Sequence, residues 1–311
     1  MTSRSELART DAVLVECRGH DTLIVTGAER RSWLEGLVTC QVGQLEPGHG
    51  TWGLVLNRQG KIQSELWVVA ATEALWLALA PGTLDQIEPE LGRMLIMEDA
   101  ELARPDGAQR WFALHGPRAA ERARGLAERF LGHSGALDRT GLGGAGLVVA
   151  AERAAEVIAA CPEQLLSEDD WLRLRLERGL PEFGTDFDGR DRPHEAALDR
   201  RAVSWTKGCY LGQEVVCMQD MRGKVKKSQR LFAIAAPAEA AVPVGAPLLG
   251  GAGQPIGSLT SRAYSERAHA WLALARVDLD LLGAAAGELS CVPGGDVPGD
   301  VRWPARPSEP V

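Results

Sequence analysis

Lysine is scarce in this sequence. Of the 34 basic residues among 311, five are lysine (Lys61, Lys207, Lys224, Lys226 and Lys227), and four of those fall between 207 and 227. A chain that uses arginine elsewhere switches in one segment to the compact, flexible ammonium. Long apolar runs are missing too. No stretch approaches the ~20 uninterrupted apolar residues of a membrane helix, which excludes a helical span. The six cysteines (17, 40, 161, 209, 217 and 291) contain no CxxC pair, which excludes a clustered zinc or four-thiolate site and reads as reduced thiols of a cytosolic protein. The first residues, MTSRSELARTDAVLVE, lack an apolar core between a basic start and a small-residue cleavage site. They predict an unprocessed, cytoplasmic chain. Basic excess is absent as well: 34 Lys+Arg against 42 Asp+Glu give a net charge of −8, which argues against nucleic acid as a general partner.

Apolar residues make up 45% of the chain, enough to offset ordering entropy and exclude disorder as the main state. The length predicts two or three domains. Strand patterns occur at Leu23–Thr26, Thr51–Leu56, Lys61–Ala70, Leu75–Ala80, Arg110–Leu114 and Leu147–Ala151. Asn57-Arg58-Gln59-Gly60 reads as the turn of a hairpin. Helical spacing joins Trp33, Leu34 and Leu37, and recurs in Leu84, Ile87, Leu91 and Met94 with Pro89 inside. Gly116-Pro117 opens a helix through Leu131, and Ala154–Ala160 forms another. The stretch Ser167–Pro181 has acidic residues at its start and Gly179 and Pro181 at its end, the punctuation of a helix, although residues 172–176 also alternate apolar and basic as a strand would. GLGGAG at 141–146 precedes a strand instead of following one, so it reads as a turn and not a phosphate loop.

After residue 230, short strand-like runs (Leu231–Ala236, Pro247–Leu249, Ile256–Ser261, Trp271–Val277) alternate with Gly and Pro. That rhythm predicts a small all-β barrel or sandwich over 231–292. An α+β region covers 1–230, and a Pro/Gly-rich tail covers 293–311.

The chemistry concentrates in WTKGCYLGQE at 205–214. Glycine leaves the Cys209 thiol accessible, and the ammonium of Lys207 favours a thiolate. Gln213 and Glu214 bring an amide and a carboxylate to the same turn. Arg222, Lys224, Lys226, Lys227 and Arg230 follow as a basic run. The run fits a local anion site better than a nucleic-acid track, since no aromatics interleave with it. A buried cysteine in a tight loop beside a solvated basic strand is the structural alternative.

Lys207–Glu214 resembles the K-G-C-[FY]-x-G-Q-E signature of the YgfZ family. These are folate-binding proteins that support iron–sulfur cluster assembly or repair, and thereby some tRNA modification. They are relatives of the aminomethyltransferase (T-protein) of glycine cleavage. Further blocks resemble the family in order. IVTGAERRSWLEGLVTCQV is similar to its opening strand–glycine–helix block, although Cys40 follows Thr39 and Gln41 replaces an acid. LVLNRQGKIQSELWV is similar to its hairpin, RLRLERGLPEFGTDF to R-x-E-x-G-x-P-x-x-G-x-D, and GSLTS at 257–261 to its G-x-x-T-S. The resemblance implies a T-protein-like α+β fold, with subdomains around a central cavity that holds tetrahydrofolate or a one-carbon derivative, plus a small C-terminal barrel. It implies that Glu177 contacts the pterin, as a carboxylate suits paired N–H donors. Trp171, six residues earlier, is its aromatic companion; on a helix, six residues nearly close two turns, which would turn both toward one cavity. Cys209 and Lys207 are the implied reactive pair, with Tyr210, Gln213 and Glu214 as further cofactor contacts. No tryptophan stands near His20-Asp21, where the family has its other folate-associated one.

Three functions follow. The first is a tetrahydrofolate-binding accessory factor with Cys209 as essential thiol, whose partners are folate and iron–sulfur enzymes or cluster assembly proteins. The second is a folate-dependent aminomethyl transferase. Against it, Ser64-Glu65 occupies the place of the relatives' D-D pair; a serine cannot act as a carboxylate base, and Glu65 points to the opposite strand face. The third is a thiol hydrolase pairing Cys209 with a histidine such as His194. The histidines show no ligand spacing and predict no metal site. After G-Q-E the family pattern is altered: Cys217 to Met221 precede Arg222-Gly223.

Overall fold

The computed structural model describes the chain except residues 1–3, 224, 236–237, 239–242, 251–252, 285–288, 292–298 and 303–311. It divides into two compact units: residues 1–167 with 200–215, and residues 168–199 with 216–311. The division does not fall at residue 230.

The first unit contains α1 (Arg4–Thr10), β1 (Val13–Cys17), β2 (Asp21–Thr26), α2 (Arg30–Glu35), β3 (Gly50–Leu56), β4 (Ile62–Ala70), β5 (Leu75–Leu79), α3 (Leu84–Gly92), β6 (Glu101–Ala103), β7 (Gln109–His115), α4 (Ala119–Phe130), β8 (His133–Ala136), β9 (Gly144–Ala150) and α5 (Ala154–Ala160). The strands form two antiparallel sheets, ordered β3-β4-β5-β2-β6 and β1-β7-β9-β8. Alternation along β4 explains the layering. Leu66, Val68 and Ala70 join a core with Trp33, Leu34, Ile87 and Leu91 from the helical side, while Glu65 and Trp67 point the other way. In the second sheet, Phe112, Leu114, Leu147 and Val149 pack on Ala123, Leu126, Phe130 and Val157 of α4 and α5. The uncovered faces of the two sheets meet. Trp67 and Trp111 pack edge-to-face at 6.4 Å, and the Glu65 carboxylate pairs with Arg139 at 2.5 Å, both side chains almost wholly buried. Arg139 also lies over the Trp67 and Trp52 rings, at 4.7 and 5.3 Å. The pair is thus desolvated between aromatic faces.

The second unit holds α6 (Glu168–Glu177), most of α7 (Gln213–Arg222), β10 (Lys227–Ala235), β11 (Pro247–Leu249), β12 (Pro255–Ser265), β13 (Ala270–Asp278), α8 (Leu279–Ala284), β14 (Leu289–Cys291) and β15 (Gly299–Arg302). Its strands pair in the order β10-β13-β12-β11-β14-β15, and β15 pairs back onto β10 through Ile234 and Val301. Phe232, Ile234, Leu248, Ile256 and Ala273 fill the interior. Leu176 of α6 packs outside, against Leu272 and Leu274. Two of the sequence blocks lock together here. Arg175, 2% exposed, donates to Asp186 at 2.7 Å and to Ser261 at 2.7 Å, and Asp186 accepts from Thr260 and Ser261 at 2.6 Å each.

The hairpin, its Asn57–Gly60 turn and the helices around Trp33, Pro89 and Leu126 form where the patterns place them. Three features differ. Gln213–Arg222 is a helix, where the sequence reads Gln213 and Glu214 as part of a turn and assigns no element. Residues 299–302, inside the expected tail, are a strand, while 293–298 and 303–311 lie outside the described residues. The short strands β1, β6 and β8 carry no punctuation that separates them from loop. No described helix is long and apolar enough to cross a membrane.

Candidate functional site

The octapeptide is held against the first sheet by a chain of backbone-directed bonds. Thr39 Oγ1 donates to the Ala202 carbonyl at 2.6 Å and accepts from Leu54 N at 2.8 Å. Ser204 N donates to Thr39 O, and Leu211 N to Gly36 O, at 2.9 and 3.1 Å. Gly212 takes φ +80 and rests on the hairpin turn, where an added Cβ would stand 2.5 Å from the Asn57 carbonyl oxygen. Only glycine satisfies both conditions.

Lys207 supplies the central peg. Its Nζ donates to the carbonyls of Glu35, Val38 and Cys40 at 2.6, 2.8 and 2.7 Å, and its side chain has no exposure. Three donors meet three acceptors at the C-terminal end of α2, where a cation is favoured. The Glu35 carboxylate lies 3.6 Å away, and burial pulls the Lys207 pKa down while Glu35 and Cys40 oppose. Cys40, fully enclosed, has its thiol pushed up to about 12 by burial and is a packing residue. Lys207 therefore ties the loop to α2.

Cys209 differs. Among the described cysteines of known burial, Cys17, Cys40 and Cys161 are buried, Cys217 is intermediate, and Cys209 is exposed. Tyr210 turns inward at 7% exposure, its ring 5.5 Å from the Lys207 ammonium. Gln213 closes the turn: its Oε1 accepts from Tyr210 N at 3.4 Å, and its own N–H donates to Tyr210 O at 3.2 Å. Glu214 is exposed in the first turn of α7, where its charge suits the helix dipole. The exposed thiol thus stands between two inward-turned neighbours on a loop fixed at both ends.

Ser64 and Glu65 face opposite sides of β4. Ser64 is wholly buried, 2.8 Å from Thr83 Oγ1, and accepts from Ala80 N at 3.1 Å. Glu65 is held by Arg139 and, at 3.4 Å, by Trp67 Nε1.

Trp171 and Glu177 belong to the other compact unit, on α6. Six residues at about 100° each place them roughly 120° apart around the axis, so their neighbours differ, contrary to the two-turn expectation. Trp171 Nε1 donates to Glu182 at 3.2 Å. The Glu177 carboxylate, 1% exposed, accepts from Ser265 Oγ at 2.7 Å and lies 3.5 Å from Arg267, itself 53% exposed. A buried, oriented carboxylate with a movable cation beside it fits a ligand presenting paired N–H donors, and the half-buried Trp171 offers a ring face. Ser265 and Arg267 are tertiary partners with no signal in the sequence. His194, also in this unit, faces Asp220 at 3.4 Å.

The fold is that of the aminomethyltransferases. The crystal structure of glycine cleavage system aminomethyltransferase T from Bartonella henselae superposes with a TM-score of 0.78, covering 98% of this chain and 88% of that one at 18% identity. The chain is related to the YgfZ proteins and, with them, to the aminomethyltransferases. It is 26% identical over 238 residues to the tRNA-modifying protein YgfZ of Yersinia enterocolitica, covering 71% of this chain and 70% of that protein. It is 28% identical over 273 residues to the mitochondrial aminomethyltransferase of Gallus gallus, covering 76% and 67%. No family model matches.

Proposed function

We propose that this chain is a cytoplasmic, tetrahydrofolate-binding accessory factor for iron–sulfur cluster assembly or repair, which indirectly supports tRNA modification, and that Cys209 is its essential thiol. The supporting observation is the loop itself: Lys207, Tyr210, Leu211 and Gln213 fix the backbone on either side of an exposed sulfur. A structural cysteine has no use for that arrangement. One thiolate cannot hold a cluster alone, so Cys209 acts with ligands supplied by a client protein or a small thiol.

Glu177 is proposed to hold the pterin by accepting its paired N–H groups after Arg267 swings out, and Trp171, on another face of α6, is proposed to stack against a more distant part of the folate. Bound folate would supply a reduced ring able to carry a one-carbon unit. Lys207, Tyr210 and Gln213 serve by shaping the loop.

An aminomethyl transferase is the alternative, raised by the relatives. Ser64 counts against it, since a buried hydroxyl engaged with Thr83 offers no carboxylate base. Methylene-tetrahydrofolate formation by the purified protein would establish that reading.

The test of the leading proposal is complementation. In cells deprived of this protein, the wild-type chain restores the activity of iron–sulfur enzymes and Cys209→Ser does not. Full restoration by Cys209→Ser overturns the role of the thiol.

A further inference from the structure

We infer that His194, Asp199 and Asp220 form a binding site for a divalent transition-metal cation. His194 and Asp199 stand five positions apart and Asp220 comes from α7, and each offers one donor atom, all within 4.8 Å of one another. The best-defined edge, His194 Nε2 to Asp220 Oδ1, is 3.4 Å. Ligand atoms about 2.1 Å from a tetrahedral cation are separated by about 3.4 Å, so this edge already has the length that coordination needs. Closing the rest takes a side-chain rotation of Asp199.

The supports are built before any metal arrives. His194 sits in a turn closed by Glu195 Oε2 accepting from Arg192 N at 2.7 Å and by Leu198 N donating to Pro193 O at 2.8 Å. The His194 carbonyl accepts from Ser228 Oγ at 2.7 Å. Asp220 is carried on α7. The imidazole is buried at 7% exposure while Asp220 keeps 29%, which gives an ion a path from solvent. Two carboxylates and an imidazole form a borderline donor set suited to Zn²⁺, Fe²⁺ or Mn²⁺. Arg230, whose charge acts on Asp199, offsets one of the two negative charges. Two carboxylates beside that one guanidinium leave the donor set suited to a cation. Three protein ligands leave a coordination position open to an exchangeable ligand, as in reactive rather than purely structural sites.

Asp220 lies in the Cys217–Met221 stretch where the family pattern is altered, so the site belongs to this chain's own residues. It does not depend on the proposed folate or thiol chemistry.

The test uses the full-length chain stripped of metal and dialysed against Zn²⁺. The wild type binds about one equivalent, and Cys209→Ser/Cys217→Ser binds the same amount. Asp220→Asn and Asp199→Asn, close to isosteric, each weaken binding by at least the roughly tenfold that loss of even an outer-shell partner costs, with the melting temperature of the metal-free protein unchanged. No Zn²⁺ on the wild type, binding insensitive to both Asn substitutions, or binding abolished by the paired serines would each overturn the assignment.

Discussion

The ammonium of Lys207 lies 2.6 Å from the carbonyl oxygen of Glu35, 172 positions earlier in the chain. Val38 and Cys40 complete the set of acceptors, and together they turn a residue that reads as the activator of a neighbouring thiol into the peg that holds its loop. Removing the ammonium leaves three buried carbonyls short of a partner. Lys207→Met is expected to cost about 2–4 kcal/mol in urea unfolding. Lys207→Arg restores little of it, because a planar fork does not match three convergent oxygens. A Lys207→Met protein as stable as wild type would contradict this placement.

Differential alkylation reads the other half of the arrangement. A maleimide added to the folded protein labels the peptide containing Cys209 first, since this thiol is exposed while Cys17, Cys40 and Cys161 are buried. The fast phase vanishes in Cys209→Ser. Equal labelling rates for Cys40 and Cys209 would show that the loop is not fixed as described.

The buried pair of Glu65 and Arg139 is sealed between Trp52 and Trp67. Arg139→Met strands the carboxylate and is expected to destabilise by about 3–5 kcal/mol, whereas Arg139→Met combined with Glu65→Leu recovers most of that loss. A double-mutant cycle in denaturant measures the coupling. Additive effects of the two substitutions would mean that the pair does not interact.

Acid stability depends on two histidines, His115 buried and His20 partly buried. Burial pulls His115 down to about 3 and His20 to about 4, with the Arg139 charge acting in the same direction on both. Each is protonated in the unfolded chain near 6.5 and stays neutral in the native one, so the unfolded state binds more protons below that pH. Their contribution is complete above about 6.5 and is lost as the pH falls toward 3–4, at up to about 1.4 kcal/mol per pH unit for each. Half-buried His133, also lowered, adds to the same limb. Carboxylates held low, such as Asp11 beside Arg122, act at still lower pH. His115→Gln should flatten the slope of unfolding free energy between pH 4 and 6, the interval between the folded and unfolded values; an unchanged slope would contradict the burial of a neutral ring.

Much of the fold was legible. The hairpin follows from alternation and a Gly60 turn, α6 from its acidic start and Gly179 stop, and the strands after 230 from their Gly/Pro rhythm. Local patterns of this kind carry their own punctuation. The division into units was not legible, because α6 joins the second unit through contacts of Leu176 with Leu272 and Leu274, nearly a hundred residues away. The candidate site divided in the same way. Cys209 and its glycine were visible as a motif, but the work of Lys207 depends on carbonyls at 35, 38 and 40. The setting of Glu177 likewise depends on Ser265 and Arg267. Helical spacing alone also misled: Trp171 and Glu177 share α6 but not a face.

The most direct test of the account is calorimetric titration of tetrahydrofolate into the wild-type chain, Glu177→Gln and Arg267→Ala. The account predicts saturable binding by the wild type, binding weakened by roughly tenfold or more in Glu177→Gln through loss of a charged acceptor, and binding retained in Arg267→Ala, where the carboxylate is already uncovered. No saturable heat with the wild type, or equal affinity in Glu177→Gln, would contradict it.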